Sequence, residues 1–187
     1  MSSAKKQIRN ALMALLLSNL IAPVCFGQVS CYGYAVTNAG NQQYTLGNYQ
    51  GEKIMLVLLP STQTASDSAF VARIDSVALA NAGSLKIIAV PSYEDGYASD
   101  SIGTVQQWYM GLLDSSVLMS QALYTHKTSG SQQDSVFQWL TNASMNMHFD
   151  DDVPGAGSMY FIDEHGNLYG VFGPEAMFSD KALNKVL

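Results

Sequence analysis

Two short apolar runs, each halted by a proline, constrain this chain more than any other feature. Residues 53–59 run almost without a polar side chain to Pro60, and residues 85–90 run likewise to Pro91. Such a run is short for a core helix and reads as a strand buried on both faces. Between the runs, Phe70, Ile74, Val77 and Ala78 fall at helical spacing over 66–81. Thr64 or Ser66 can cap the start of that helix and Gly83 can close its end. Strand, helix and strand in this order call for a sheet with a helix packed on it.

The flanking segments extend that unit. Upstream, residues 31–46 alternate loosely around Asn38, Gly40 and Asn41, which predicts a hairpin of about 33–37 and 42–46. Tyr49, Gln50 and Gly51 make a second turn. Downstream, Ile102, Val105, Trp108, Tyr109 and Leu112 predict a helix within 100–113, weakened by Gly103 and Gly111. A short strand follows, then a helix at 133–142 that turns Val136, Phe137 and Leu140 inward. Strands at 159–163 and 168–172 are joined by the turn residues Glu164, His165, Gly166 and Asn167, and a last helix is expected with Pro174 in its first turn and 179–187 completing it. The reading is an α/β chain: a mixed central sheet flanked by helices, with an N-terminal hairpin. With 187 residues, 48% hydrophobic and 13% charged, one globular domain over 28–187 accounts for the chain after its leader.

The leader is residues 1–27. Lys5, Lys6 and Arg9 precede a mostly apolar stretch at 11–24, followed by Cys25, Phe26 and Gly27. This reads as a secretory signal peptide cut near Gly27 and Gln28, which places the product in the periplasm or outside the cell. An uncleaved anchor is the competing reading, but the stretch falls short of the ~20 residues a span needs, and Pro23 interrupts it. Cleavage removes Cys25 and leaves Cys31 alone, without an intramolecular disulfide partner. Lipidation at Cys31 is a second alternative, favoured by Ser30 and disfavoured by Gln28, and is the one route to a membrane tether.

The order of elements and the residues in it resemble the thioredoxin-like fold and, within it, the glutathione peroxidase family. Tyr34, Gly40, Leu46 and the Tyr49-Gln50-Gly51 turn, leading into Ile54-Met55-Leu56-Val57, look like that family's opening hairpin and first core strand. The second run with Pro91 looks like its second strand. Gln138-Trp139-Leu140 looks like its late helix, and Tyr160-Phe161-Ile162-Asp163 with Gly166 like its penultimate strand and turn. The resemblance implies a peroxidatic cysteine or selenocysteine just after the first core strand, at a helix start where amides and dipole hold a thiolate. With Ser61 matching the family's serine, that position is Gln63, and neither Thr62 nor Thr64 is a thiol. The family's supporting glutamine falls on Glu94, and its Trp-Asn pair on Gly155 and Ala156. The Cys-x-x-Cys of the disulfide-exchange branch would lie near Gln63 and Ser66. Thiol-peroxide chemistry therefore lacks its residues here. The sequence points instead to a non-catalytic binding protein using the former groove, lined by Ser61, Thr62, Gln63, Thr64, Glu94 and Ser158 beside Gly155 and Ala156. A thiol-dependent oxidoreductase working through Cys31 or a redox partner is the alternative.

Other chemistry is thinly represented. A net charge of −6 argues against nucleic acid, and no Cys or His spacing fits zinc. His148 with Asp150, Asp151 and Asp152 is the densest group of ligand types and a weak calcium candidate; a solvated acidic loop is the preferred reading. His126 and His165 read as exposed loop residues. Nothing implies a cofactor, and the partner is a protein or small molecule the sequence does not specify.

Overall fold

The structure, a computed structural model, describes residues 29–97, 102–176, 181 and 185–187. The leader at 1–27 and most of the expected last helix lie outside the described residues. Among the described residues no helix is long and apolar enough to cross a membrane.

The expected hairpin forms from β1 (Ala35–Thr37) and β2 (Gln43–Thr45), paired antiparallel with Val36 opposite Tyr44. It is shorter than its alternation predicts because Cys31–Gly33 and Leu46–Tyr49 wind into 3-10 turns on either side. The two apolar runs are β3 (Lys53–Leu58) and β4 (Leu85–Val90), linked by α1 (Ala65–Ala80). Thr64 caps α1 in a reciprocal box: its hydroxyl accepts from Asp67 N at 3.2 Å, and the Asp67 carboxylate accepts from Thr64 N at 3.2 Å. Beyond Asn81, Gly83 takes φ +83°, a conformation a Cβ disfavours, and the chain turns into β4.

Next come α2 (Ile102–Met110), the two-residue β5 (Leu118–Met119), α3 (Ser135–Leu140) and a single turn, α4 (Ala143–Asn146). The helix expected at 100–113 thus stops before Leu112, and the one expected at 133–142 spans only Ser135–Leu140. Gly111 ends the first, and Asp134 fixes the start of the second by accepting from Val136 N at 2.9 Å. β6 (Met159–Ile162) and β7 (Leu168–Phe172) complete the sheet. Its order is β5-β4-β3-β6-β7, with β3, β4 and β5 parallel and β6 and β7 antiparallel to their neighbours.

Both faces of the central strands are covered. Met55, Val57 and Leu59 face a layer built from α1 and α2, while Ile54, Leu56 and Leu58 face the hairpin and α3. All six are fully buried, a gross contribution on the order of 10 kcal/mol before the entropy of ordering them is set against it. The turn between β6 and β7 folds on the Asp163 side chain, which accepts from His165 N at 2.9 Å and Asn167 N at 2.8 Å. Gly166 is required there: at φ +84° a Cβ would come 2.2 Å from Ser30 Oγ and 3.0 Å from the Tyr32 ring. The turn therefore clamps the start of the described chain against the sheet, and Cys31 N donates to Gly166 O at 2.9 Å.

Candidate functional site

Parallel strands deliver the loops after β3 and β4 to the same end of the sheet, and the antiparallel β6 begins there. Four segments meet at that end: residues 60–64, 91–97, 125–129 and 150–158. The sequence places its candidate groove here. The structure brings these segments together but gives most of the expected lining residues other work.

Ser61 is half-buried and donates to Asp95 O at 2.7 Å. Thr64 caps α1, and the Thr62 hydroxyl donates to the Asp67 carboxylate at 2.5 Å. Gln63 is exposed. Glu94 and Ser158 correct the expected groove. Ser158 is fully buried, and its Oγ closes a turn on Gly155 O at 2.7 Å. Glu94 binds the neighbouring loop, accepting from Ser92 Oγ at 3.0 Å, Thr125 N at 3.0 Å, His126 N at 3.3 Å and Ser129 Oγ. Partial burial pushes the Glu94 carboxyl up, and these donors outweigh it, leaving it below the usual glutamate range.

That balance carries a pH dependence. A carboxyl whose folded pKa is depressed contributes stability above its unfolded pKa and loses it as pH falls through the folded value. Glu94→Gln should therefore lower stability by about 1–2 kcal/mol near pH 7, a hydrogen-bond figure discounted for the site's exposure. The gap between wild type and variant should close below about pH 4. Urea unfolding at both pH values checks this, and a gap that stays constant with pH would refute it.

Asp95, next in the chain, meets a residue the sequence reading leaves as an exposed loop side chain. His126 is half-buried, with Nε2 3.6 Å from Asp95 Oδ1 and Nδ1 4.0 Å from Asp152 Oδ1. These are ion-pair separations, too long for hydrogen bonds. Burial pushes the Asp95 carboxyl up against the opposing pull of His126. Among the described residues Asp95 Oδ2 and His126 Nε2 are buried without a hydrogen-bond partner, as is the hydroxyl of the fully buried Tyr160. Among the described residues no free nucleophile is placed to complete a hydrolytic set. Ser92 Oγ, the nearest candidate in sequence, is engaged by Thr125 Oγ1 at 2.8 Å and by Glu94. Asp95 meets His126 across thirty intervening residues, and no motif in the sequence marks that contact.

The acidic run is likewise drawn into the fold. Asp150 pairs with Lys127 Nζ at 3.1 Å, and Asp152 Oδ1 accepts from Lys127 N at 2.7 Å and Val153 N at 2.8 Å. Asp151 and His148 are exposed. Among the described residues no group of three or more His, Cys, Asp or Glu side chains is placed to hold a metal ion.

An open cavity does exist at this end, on the α1 side of the expected groove. It measures about 620 Å³, with Pro60, Phe70, Arg73, Ala156, Gly157 and Pro174 among its walls. Of the positions matching the peroxidase site, Ala156 lines it, while Gln63, Glu94 and Gly155 do not.

Cys31 is at the other end of the molecule. It is fully buried, in the apolar cluster that includes Ile54, Ile162 and Leu168. It is held by the turn at Gly166, and the end of β6 that enters this turn lies beside the start of β3. The length of that strand, ~20 Å at 3.3 Å per residue, separates it from Gln63. Burial, reinforced by the Asp163 charge, pushes its thiol up to about 12.

The sheet order, the helix after β3 and the hairpin before it define a thioredoxin-like α/β fold. Among solved structures, the chain is similar to Trgpx in its apo form, at 13% identity over 86% of this chain and 94% of that one, with a TM-score of 0.63. It is also similar to GPX1 of T. cruzi, at 14% identity over 84% and 95%, with a TM-score of 0.58. A third is a secreted disulfide oxidoreductase of Mycobacterium tuberculosis homologous to E. coli DsbE, at 14% identity over 83% and 95%, with a TM-score of 0.50. At 13–14% identity the likeness to these peroxidases and to the disulfide oxidoreductase is one of fold alone. No known family profile matches the chain, and no curated protein matches it in sequence.

Proposed function

We propose that this chain is an exported, glutathione-peroxidase-like protein without the peroxidatic residue, and that it binds a ligand rather than turning over peroxide. The observation that carries this reading is the separation of its one described thiol from the redox position. Gln63 stands where the nucleophile would be, and Cys31 is buried and hard to ionise at the opposite end of the sheet. The cavity beside α1 is the binding site on this reading. Its Phe70 and proline walls supply apolar contact, and Arg73, Asp67 and Glu175 supply polar points for orientation. Export rests on the basic and apolar leader at 1–27.

The test is turnover. Hydrogen peroxide and an organic hydroperoxide are offered to the full chain, with glutathione or a thioredoxin system as reductant and a Cys31→Ser variant alongside. The expected result is no consumption above buffer in either protein. Consumption by the wild type that Cys31→Ser abolishes would overturn the reading in favour of an oxidoreductase.

A further inference from the structure

A second cavity lies at the sheet end away from Gln63, and a half-buried amine sits in its wall. Lys86 is the second residue of β4. Its Nζ donates to Ser116 O at 2.7 Å and lies 5.6 Å from the centre of the Tyr49 ring. Among the described residues no carboxylate comes within 4.0 Å of it; Glu52 acts on it only from farther away. Burial pulls the amine below the usual lysine range. Lysines taken out of water usually carry a paired charge, and here the fold supplies a carbonyl and an aromatic face instead.

The cavity measures about 500 Å³, a size suited to a small organic molecule. Tyr44, Tyr49, Met110 and Leu113 give it apolar and aromatic walls. Met110, 66% exposed, stands at its rim. Asp114 also lines it, with its carboxylate accepting from Ser116 N at 3.0 Å and Ser115 Oγ at 3.3 Å. That fixed negative charge works against a ligand carrying more than one of its own.

We propose that this cavity binds a small organic monocarboxylate, its carboxylate on Lys86 and its apolar or aromatic body against Tyr49 and Met110. The ammonium still has donors free, and a charge-assisted bond to a carboxylate in a partly desolvated site is strong. This proposal is independent of the ligand site beside α1, and either can fail without the other.

Octanoate and benzoate are the probes, with octylamine and octanol as controls of charge. Amide shifts of the full chain report binding, and acetic anhydride labelling followed by mass spectrometry reports the Lys86 amine against exposed Lys185. Octanoate should shift the amides of Tyr49, Lys86 and Ser116 and protect Lys86 but not Lys185, while octylamine does neither. Lys86→Met should weaken octanoate binding by about tenfold or more. Met110→Glu, a change at an exposed rim position that leaves the core untouched, should weaken it as well and serves if Lys86→Met fails to fold. Octylamine binding as tightly as octanoate, octanoate affinity unchanged in the folded variants, or no shift at millimolar octanoate would each overturn the proposal.

Discussion

Asn146→Ala should be among the most destabilising single substitutions in this chain, lowering the free energy of unfolding by roughly 3–5 kcal/mol. Asn146 is fully buried at the end of α4 and uses both ends of its amide. Nδ2 donates to Trp139 O at 2.7 Å, Leu140 O at 3.1 Å and Phe149 O at 3.0 Å. Oδ1 accepts from His148 N and Phe149 N, each at 2.7 Å. One side chain thus satisfies carbonyls at the end of α3 and holds the reversal at Met147, a non-glycine residue at φ 58°. Alanine would strand those backbone groups away from water, where each costs more than its bond contributed. Asn146→Asp keeps the acceptor but loses the donors and sets a charge against three carbonyls, so it should do no better. Against a total stability that is seldom above about 15 kcal/mol, the change should be plain in urea unfolding. A loss under about 1 kcal/mol would show that the α3–α4 junction is held by apolar packing and not by this amide.

Asn146 also marks the limit of what the sequence discloses. The βαβ unit could be read because each of its signals is local: a run of apolar residues, a helical spacing, a cap, a proline. The structure places β4 on the residues its apolar run predicts, and the Thr64 cap fixes where α1 begins. The mixed sheet followed from the order of these elements. What could not be read depends on contacts between distant loops. Glu94 in isolation is a carboxylate at a position the resemblance makes catalytic; only the fold shows it bonding to the loop at 125–129. His126 beside Lys127 has no visible partner in the sequence until Asp95 and Asp152 are brought to it. Lys86 is a lone polar residue in an apolar strand, and its cavity arises where the hairpin, the end of α2 and β5 converge. Register brings the segments at 60–64, 91–97 and 150–158 to one end of the sheet, but the direction of their side chains is not written in it, and the open cavity lies beside the expected groove.

The thiol of Cys31 should be nearly inert while the chain is folded, and this tests the placement on which the non-catalytic reading depends. Raising a thiol from 9.0 to about 12 cuts its thiolate fraction at neutral pH about a thousandfold. Full burial adds a barrier of access, since the reagent must wait for the segment at 31–33 to open. An aromatic disulfide reagent, followed by mass spectrometry to separate Cys31 from Cys25, should label Cys31 in the folded chain at least ~1000-fold more slowly than in urea. A Gln63→Cys variant supplies the contrast. Position 63 is exposed and immediately precedes the Thr64 cap of α1, where the helix amides favour an anion. Its thiol should label within the reagent's ordinary mixing and reaction time in the folded protein, showing that position 63 is open to solvent where Cys31 is not. Rapid labelling of Cys31 in the folded wild type would mean that the segment at 31–33 opens readily, and the case against a Cys31-dependent oxidoreductase would fall with it.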